Sequence, residues 1–156
     1  MADQRYQQGF TLVEMIVVLV IIVLGTAIVS FNFSSGNDRT EIKAAARDVV
    51  STLRYARGQS LITHREITVD FDLTGNSYTV SGQDRMYTIP ETIALTIVTA
   101  ESEMTGQDQA SIRFYPDGSA TGGRITLERS TAKWQIDINW LTGHIELTDA
   151  FDDTGK

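Results

Sequence analysis

The sequence predicts an α+β fold in which a long N-terminal helix packs on an antiparallel, sandwich-like β head. Three patterns support this: an uninterrupted apolar run near the N-terminus, helical spacing of apolar residues up to Thr63, and alternation of apolar and polar residues after Arg65. The chain has 156 residues, of which 42% are hydrophobic, and a net charge of -7. These values allow one domain with a buried core beyond the apolar run.

The apolar run predicts a membrane-spanning segment. Residues 15–24 include no polar side chain. From Phe10 to Phe31 the chain has about 22 residues, which would span about 33 Å as a helix and match a hydrocarbon core of roughly 30 Å. We therefore predict a transmembrane and assembly helix over 10–33. An ordinary signal peptide or a plain one-pass anchor is the alternative, but neither explains Glu14 or the polar leader before the run.

Glu14 places a carboxylate at the edge of this run, where a charge costs roughly 2.5–3.5 kcal/mol in hydrocarbon. The residues 9–14, GFTLVE, followed by the apolar run, resemble the class III signal of type IV pilins and pseudopilins. Membership of this type IV pilin-like superfamily implies that a prepilin peptidase cuts between Gly9 and Phe10 and methylates Phe10. Residues 1–9 would then be a leader peptide.

The spacing within this signal gives Glu14 a partner. Glu14 lies four residues after Phe10, which places both on one face of a helix. The cut would leave an α-amino group on Phe10 that is cationic at neutral pH. Glu14 of one subunit can then pair with the Phe10 amine of the next, so that two costly charges neutralise each other and set the register of assembly.

The following segment, 34–65, is predicted to be an amphipathic stem helix packed on the head. Its apolar positions recur at helical spacing within roughly 100° of arc. They are Ile42, Ala45, Ala46, Val49, Leu53, Ala56 and Ser60. The small residues 34–36 allow either a kink or a short non-helical joint, and Asn37 with Asp38 is a candidate N-cap region.

Basic side chains form a stripe along one flank of the stem helix, within about 80° on the helical wheel. The candidates for contact with another subunit are Arg39, Lys43, Arg47, Arg54 and Arg57. From Glu66 to Lys156 the chain has 15 acidic and 6 basic residues. A solvated helix flank is the plain interpretation of the stripe, and contact with an acidic surface on a neighbouring subunit is the alternative.

Residues 66–156 are predicted to form a β-rich head, because apolar and polar residues alternate in short runs separated by turns. The predicted strands lie at about 67–71, 78–80, 86–89, 93–97, 112–114, 125–127, 134–140 and 145–147. The polar stretch 101–109 is predicted to be a loop, and residues 116–118 a turn. Short antiparallel strands of this kind are typical of a sandwich or of paired sheets.

Two stretches of the head extend the resemblance. Residues 112–127, IRFYPDGSATGGRITL, and the later Gly143-His144-Ile145 resemble the H class of minor pseudopilins of the type II secretion system. This resemblance implies a pilin-like fold and a subunit held in the inner membrane with its head in the periplasm. It implies incorporation near the tip of a pseudopilus, where the fibre helps export folded proteins across the outer membrane. The implied partners are the other minor pseudopilins, the major pseudopilin and the prepilin peptidase.

The sequence contains none of the motifs that are typical of a catalytic or metal site. The chain has no Cys, which excludes disulfides, thiolate metal sites and Cys nucleophiles. His64 and His144 lack the spacing that holds zinc, and no nucleophile elbow or phosphate loop occurs. We therefore expect no enzyme activity and no cofactor, with a membrane-anchored periplasmic enzyme as the alternative from another class. The candidate ligands of a weak calcium site are the carboxylates Asp149, Asp152 and Asp153, because hard cations bind several oxygens.

The nearest alternative function is that of a minor pilin of a type IV pilus, in assembly or in DNA uptake. DNA binding requires cationic surface. The segment from Ile145 to Lys156 is instead rich in acidic residues. No nucleic acid partner is therefore expected.

Overall fold

The computed structural model describes residues 11–100, 103–105 and 108–150, and for residues 25–37 and 105 it describes the backbone alone. The chain divides between Asn37 and Asp38 into two compact units. The first contains the N-terminal part of the helix, and the second contains the rest of the helix and the strands.

One α-helix, α1 (Leu12–Thr63), has 52 residues. It starts where the Thr11 backbone and side-chain oxygens accept hydrogen bonds from the Glu14 N–H, at 3.1 and 3.2 Å. It ends before His64, whose positive φ of 53° is the left-handed conformation that often follows a helix. The backbone is helical through residues 34–37, so the predicted N-cap of a new helix at Asn37 and Asp38 is wrong. Ser and Gly each cost at most about 1 kcal/mol within a helix, which flanking helix-forming residues can outweigh.

The predicted apolar face of the stem is confirmed. Ile42, Ala46, Val49, Leu53, Ala56 and Ser60 are all fully buried. Ala45 is partly buried and packs against the same core. These side chains recur at the 3.6-residue period, so residues 38–63 of α1, here called the stem segment, form one wall of the core of the second unit.

The described part of the head contains nine strands in two antiparallel sheets. They are β1 (Ile67–Asp72), β2 (Ser77–Val80), β3 (Met86–Thr88), β4 (Ala94–Thr99), β5 (Met104–Thr105), β6 (Gln109–Phe114), β7 (Gly123–Arg129), β8 (Ala132–Ile138) and β9 (Ile145–Asp149). The first sheet has the order β3-β2-β1-β6-β5, and the second has the order β4-β7-β8-β9. The predicted α+β class with paired antiparallel sheets is confirmed.

The core fills the space between both sheets and the stem segment. The register pairs Val69 with Ile112 in the first sheet and Ile125 with Ile136 in the second, and all four side chains are buried. Their burial follows the alternation of apolar and polar residues along each strand. At the junction of the sheets, the Thr99 hydroxyl at the end of β4 donates a hydrogen bond of 3.4 Å to the carbonyl of Ser111 in β6.

Two local predictions for the head are wrong. The stretch 101–109 contains the short strand β5, which pairs with β6. A nearly buried carboxylate, Glu103, accepts two hydrogen bonds from the Arg113 guanidinium, at 3.2 and 3.3 Å. This pairing compensates for the burial of a charge in a stretch that has the composition of a loop. The strand predicted at 134–140 ends at Ile138, and the chain turns before Trp140.

Candidate assembly surfaces

The N-terminal signal that the sequence predicts lies partly within the described residues. Glu14 is the third residue of α1, and its side chain is exposed. Thr11 and Glu14 have the T-x-x-E spacing of a capping box. The interpretation of Glu14 as a charge in an apolar run does not predict this cap. A carboxylate in the first turn also faces the positive end of the helix dipole. The predicted cleavage point between Gly9 and Phe10 lies outside the described residues.

The first turns of α1 expose an apolar surface on all sides. Every side chain from Leu12 to Leu24 is exposed, including a continuous series of Val, Ile and Leu residues. A surface of this kind requires a cover that is itself apolar. Within the residues that the structure describes, no helix is both long enough and apolar enough to cross a membrane.

The C-terminal half of the basic stripe, Arg54 and Arg57, forms hydrogen bonds with the head of the same chain. The Arg57 guanidinium donates to the carbonyl oxygens of Gly118 at 3.3 Å and Thr142 at 3.0 Å, a set of contacts that we call the Arg57 junction. Arg54 donates a longer hydrogen bond of 3.4 Å to the carbonyl of Ile145. Both arginines therefore attach the stem segment to the head, and this geometry favours a structural role for them.

The N-terminal half of the stripe lies beside the edge of the second sheet, where Arg39 and Arg47 are exposed and Lys43 is half-buried. Arg39, Lys43 and Arg47 line a shallow recess of about 440 Å³ with Trp134 and Asp149, which we call the basic recess. The Lys43 ammonium lies 5.4 Å from the centroid of the Trp134 ring, within the range of a cation–π contact. These three side chains stay candidates for contact with another subunit.

The opposite flank of the stem segment is acidic. Arg129, at the end of β7, forms ion pairs with Asp38 at 3.0 Å and with Glu41, which connects this flank to the second sheet. Asp48 lies further along, in a groove of about 730 Å³ between α1 and β3 that is also lined by Tyr78. Burial raises the pKa of the Tyr78 phenol, so it stays neutral at physiological pH and gives the groove no base.

The Arg57 junction explains why particular glycines occur in the head. The backbone turns at Gly118 and Gly143, both with positive φ, bring Gly143 against the Gly118 carbonyl oxygen. A Cβ atom at Gly143 would lie 2.3 Å from that oxygen and 2.7 Å from the Arg57 Nε atom. The buried Ser60 hydroxyl lies 3.1 Å from the carbonyl oxygen of Tyr115, in the same turn region. The two stretches that carry the H-class resemblance, 112–127 and 143–145, thus meet beside Arg57 and Ser60 of the stem segment.

The described residues do not assemble a metal or catalytic centre. No group of three or more His, Asp or Glu side chains among them is arranged to hold a metal ion. Asp149 lies at the basic recess, whereas Asp152 and Asp153 lie outside the described residues, so the calcium site stays a prediction. His64 follows the end of α1 and His144 precedes β9, and both side chains are exposed.

Comparison with known proteins decides the family. The family described as Type II transport protein GspH matches residues 45–143, well over half of the chain. The chain belongs to this family. A second match, to the prokaryotic N-terminal methylation motif, covers residues 4–30 and therefore includes Gly9, Phe10 and Glu14. Together these matches confirm the resemblance to the H class that the sequence indicates.

Individual relatives of this GspH-family chain agree. It is 27% identical to the type II secretion system protein H of Xanthomonas campestris pv. campestris over 150 residues, which covers 91% of this chain and 83% of that protein.

Solved structures share the fold at low sequence identity. The minor pseudopilin EpsH of Vibrio cholerae aligns with a TM-score of 0.56 and 13% identity, covering 70% of this chain and 97% of EpsH. The type IV minor pilin FimU of Pseudomonas aeruginosa aligns with the same TM-score, 0.56, and 17% identity, covering 73% of this chain and 92% of FimU. The pilin-like fold is confirmed, and the fold alone does not separate a pseudopilin from a type IV minor pilin.

Proposed function

We propose that this GspH-family chain is a minor pseudopilin of a type II secretion system. It acts as a structural subunit near the tip of the pseudopilus and helps to export folded proteins across the outer membrane. The observation that carries this proposal is the match of residues 45–143 to the GspH family, joined in one chain to the methylation motif at 4–30. Its partners are the other minor pseudopilins, the major pseudopilin and the prepilin peptidase.

The N-terminal segment supports a defined order of events. The prepilin peptidase removes residues 1–9 and methylates Phe10, and residues 10–33 hold the subunit in the inner membrane with its head in the periplasm. The apolar surface of the first turns of α1 is consistent with this, because lipid covers it before assembly and the helices of other subunits cover it afterwards.

Glu14 connects processing to assembly. Its backbone N–H already donates a hydrogen bond to Thr11. Its exposed carboxylate can form an ion pair with the methylated amine of a neighbouring Phe10. An ion pair in an apolar surrounding compensates for desolvation when both partners are present, and a single charge in that position is strongly unfavourable. The subunit is therefore stable in a fibre only when the pair forms.

The test uses three variants of the full chain that separate charge from helix capping. Glu14→Gln keeps a side chain that suits a capping box but removes the charge, and Glu14→Ala removes both. Thr11→Ala weakens the cap and keeps the charge. We expect both Glu14 variants to be inserted and cleaved but lost from purified pseudopili, whereas Thr11→Ala still assembles. Normal incorporation of Glu14→Gln would contradict the pairing.

A role as a type IV minor pilin is the second candidate, because the TM-score to FimU equals that to EpsH. The two roles differ in what a deletion of the gene abolishes. Deletion should block secretion of folded proteins and leave pili and DNA uptake intact. Loss of pili with normal secretion would favour the second candidate.

A further inference from the structure

A short segment of the head, residues 139–144, presents large apolar side chains to solvent, and we call it the Trp140 loop. Trp140 is 65% exposed and Leu141 is 64% exposed. Leu61 of the stem segment lies beside Gly118, at the Arg57 junction that also holds this loop. Two large apolar side chains that are adjacent in the chain and both mostly exposed mark a candidate interaction surface.

The Trp140 loop is held rigidly. The Asn139 side-chain oxygen accepts hydrogen bonds from the N–H groups of Leu141 and Thr142, both at 3.0 Å. The Trp140 carbonyl accepts a hydrogen bond of 2.9 Å from the Ala120 N–H, and Arg57 holds the Thr142 carbonyl. A loop fixed in this way loses little conformational entropy on binding, so Trp140 is prepared to act as an interface anchor.

Two carboxylates share a recess with the tryptophan. Trp140 lines this recess of about 490 Å³ together with Asp137, Glu146 and His144. Asp137 and Glu146 are direct cross-strand neighbours, a placement of like charges that weakens a sheet. Arg124 pairs with Asp137 at 2.6 Å and offsets one of the two charges. Glu146 is left as a carboxylate that a cation from another molecule can approach.

A further carboxylate lies in the adjacent turn. The Ser119 hydroxyl, which donates a 2.6 Å hydrogen bond, holds the pKa of Asp117 below its ordinary value, so this group stays ionised. Asp117 directly precedes Gly118, whose carbonyl belongs to the Arg57 junction. The chemistry of the surface is therefore an exposed indole with a negative rim, which suits cationic side chains that carry long apolar stems.

The basic recess has the complementary chemistry. Arg39, Lys43 and Arg47 present long side chains with positive heads on a helix flank, and Lys43 already makes a cation–π contact with Trp134. The lysine and arginines of such a flank can contact the Trp140 face while their charges meet Asp117 and Glu146. A contact between two different surfaces of similar subunits is heterologous, and such contacts build open helical fibres.

We propose that the Trp140 loop docks onto the basic flank of the stem helix of a neighbouring pilin-like subunit. This inference rests on the proposed function, since it names the contact that the subunit makes within the fibre. Trp140 and Leu141 provide the apolar anchor, and the acidic rim selects a cationic stem over an acidic head.

The test is photo-cross-linking in cells that carry the secretion system, with the full chain and a benzoyl-phenylalanine residue in place of Leu141. We expect an adduct with a stem-helix peptide of a pilin-like subunit, identified by mass spectrometry. Trp140→Ser should reduce its yield at least fivefold. Glu146→Lys should reduce it at least threefold while leaving protease resistance intact, because the new lysine can pair with Asp137. Met86→Ser is the matched control, since Met86 is also 65% exposed and should change nothing.

Several outcomes would overturn the inference. An adduct with a secreted protein, an adduct on the head of another subunit, or the absence of an adduct from an assembled chain would each exclude docking on a stem. Equal losses for Met86→Ser and Trp140→Ser would also exclude it. Cleavage at Gly9 and incorporation into the fibre are followed in the same cells. If the unsubstituted chain is neither cleaved nor incorporated, the proposed function fails as well; if both steps occur, only the docking is refuted.

Discussion

Replacing Gly143 by alanine should disrupt the Arg57 junction. The residue has a φ of +61°, and a Cβ atom there would lie 2.3 Å from the Gly118 carbonyl oxygen and 2.7 Å from Arg57 Nε. Neither distance can be tolerated, and the oxygen belongs to the backbone, so the two loops must separate. Separation would break at least one of the two hydrogen bonds from Arg57, to Gly118 or to Thr142.

The expected loss of stability has two parts. A side chain in the left-handed region costs about 1–2 kcal/mol. A hydrogen bond from a charged donor contributes about 1.5–3 kcal/mol. We therefore expect Gly143→Ala to lower the free energy of unfolding by about 2.5–5 kcal/mol, a large share of the roughly 5–15 kcal/mol of a typical domain.

Gly82 offers a matched control. Its φ is +80°, but nothing lies within 4 Å of a Cβ atom built on it. Gly82→Ala therefore carries the conformational cost without the clash, about 1–2 kcal/mol.

The assay is urea denaturation of a fragment that begins at Asp38, followed by the fluorescence of Trp134 and Trp140. If Gly143→Ala and Gly82→Ala differ by less than about 0.5 kcal/mol, the clash is absent and the reasoning is refuted. Combining Gly143→Ala with Arg57→Ala should cost less than the sum of the single changes, because both break the same contacts.

Two other predictions concern the stem segment and the groove beside it. Arg129→Ala should lower the free energy of unfolding of the same fragment by about 1–2 kcal/mol, because it breaks the ion pairs with Asp38 and Glu41. The Arg129 side chain is only 19% exposed in these pairs. The loss should be smaller at high salt, which screens the charges. Stability should also fall above about pH 10, since burial raises the pKa of Tyr78 and the unfolded chain ionises first. The Tyr78 contribution is fully present below the pKa of the unfolded phenol and is lost as the pH rises through the folded value, which denaturation at a series of pH values measures.

Each of these predictions has a control. Arg124 forms an ion pair that is about half exposed, so Arg124→Ala should change the free energy of unfolding far less than Arg129→Ala does. An equal loss for Arg129→Ala and Arg124→Ala would show that burial of the pair has no effect. Tyr78→Phe should flatten the alkaline dependence, because it removes the phenol whose pKa burial raises. A dependence that survives Tyr78→Phe would contradict the assignment.

The sequence predicts those parts of the fold that depend on a repeated pattern. Ile42 to Ser60 recur at helical spacing, and the strands from Ile67 onward alternate, so burial on one side determines both. The pattern fails at Trp140, which continues the alternation but lies beyond the strand end. It fails because Asn139 forms a side-chain turn with the next N–H groups, an interaction that competes with strand pairing and has no period.

The candidate surfaces divide in the same way. The GFTLVE signal at 9–14 and the stretch 112–127 can be recognised directly in the sequence as family motifs. The basic stripe is also visible there. The sequence does not show that Arg57 is bonded to the head, because its acceptors lie 61 and 85 residues away. Spacing along one helix carries no information about carbonyl groups supplied by distant turns.

The long separation between Arg57 and its acceptors has a consequence for biogenesis. Arg57 lies on the first element of the second unit, whereas Gly118 and Thr142 come from its middle and its end. Closing such large loops is slow, and the contacts form only after both parts of the head have been made and folded. A truncated or half-folded chain therefore lacks the contact from Arg57 to the Trp140 loop, so the proposed docking surface is complete only when the head is complete. A fibre that selects its subunits through this surface would admit only finished ones.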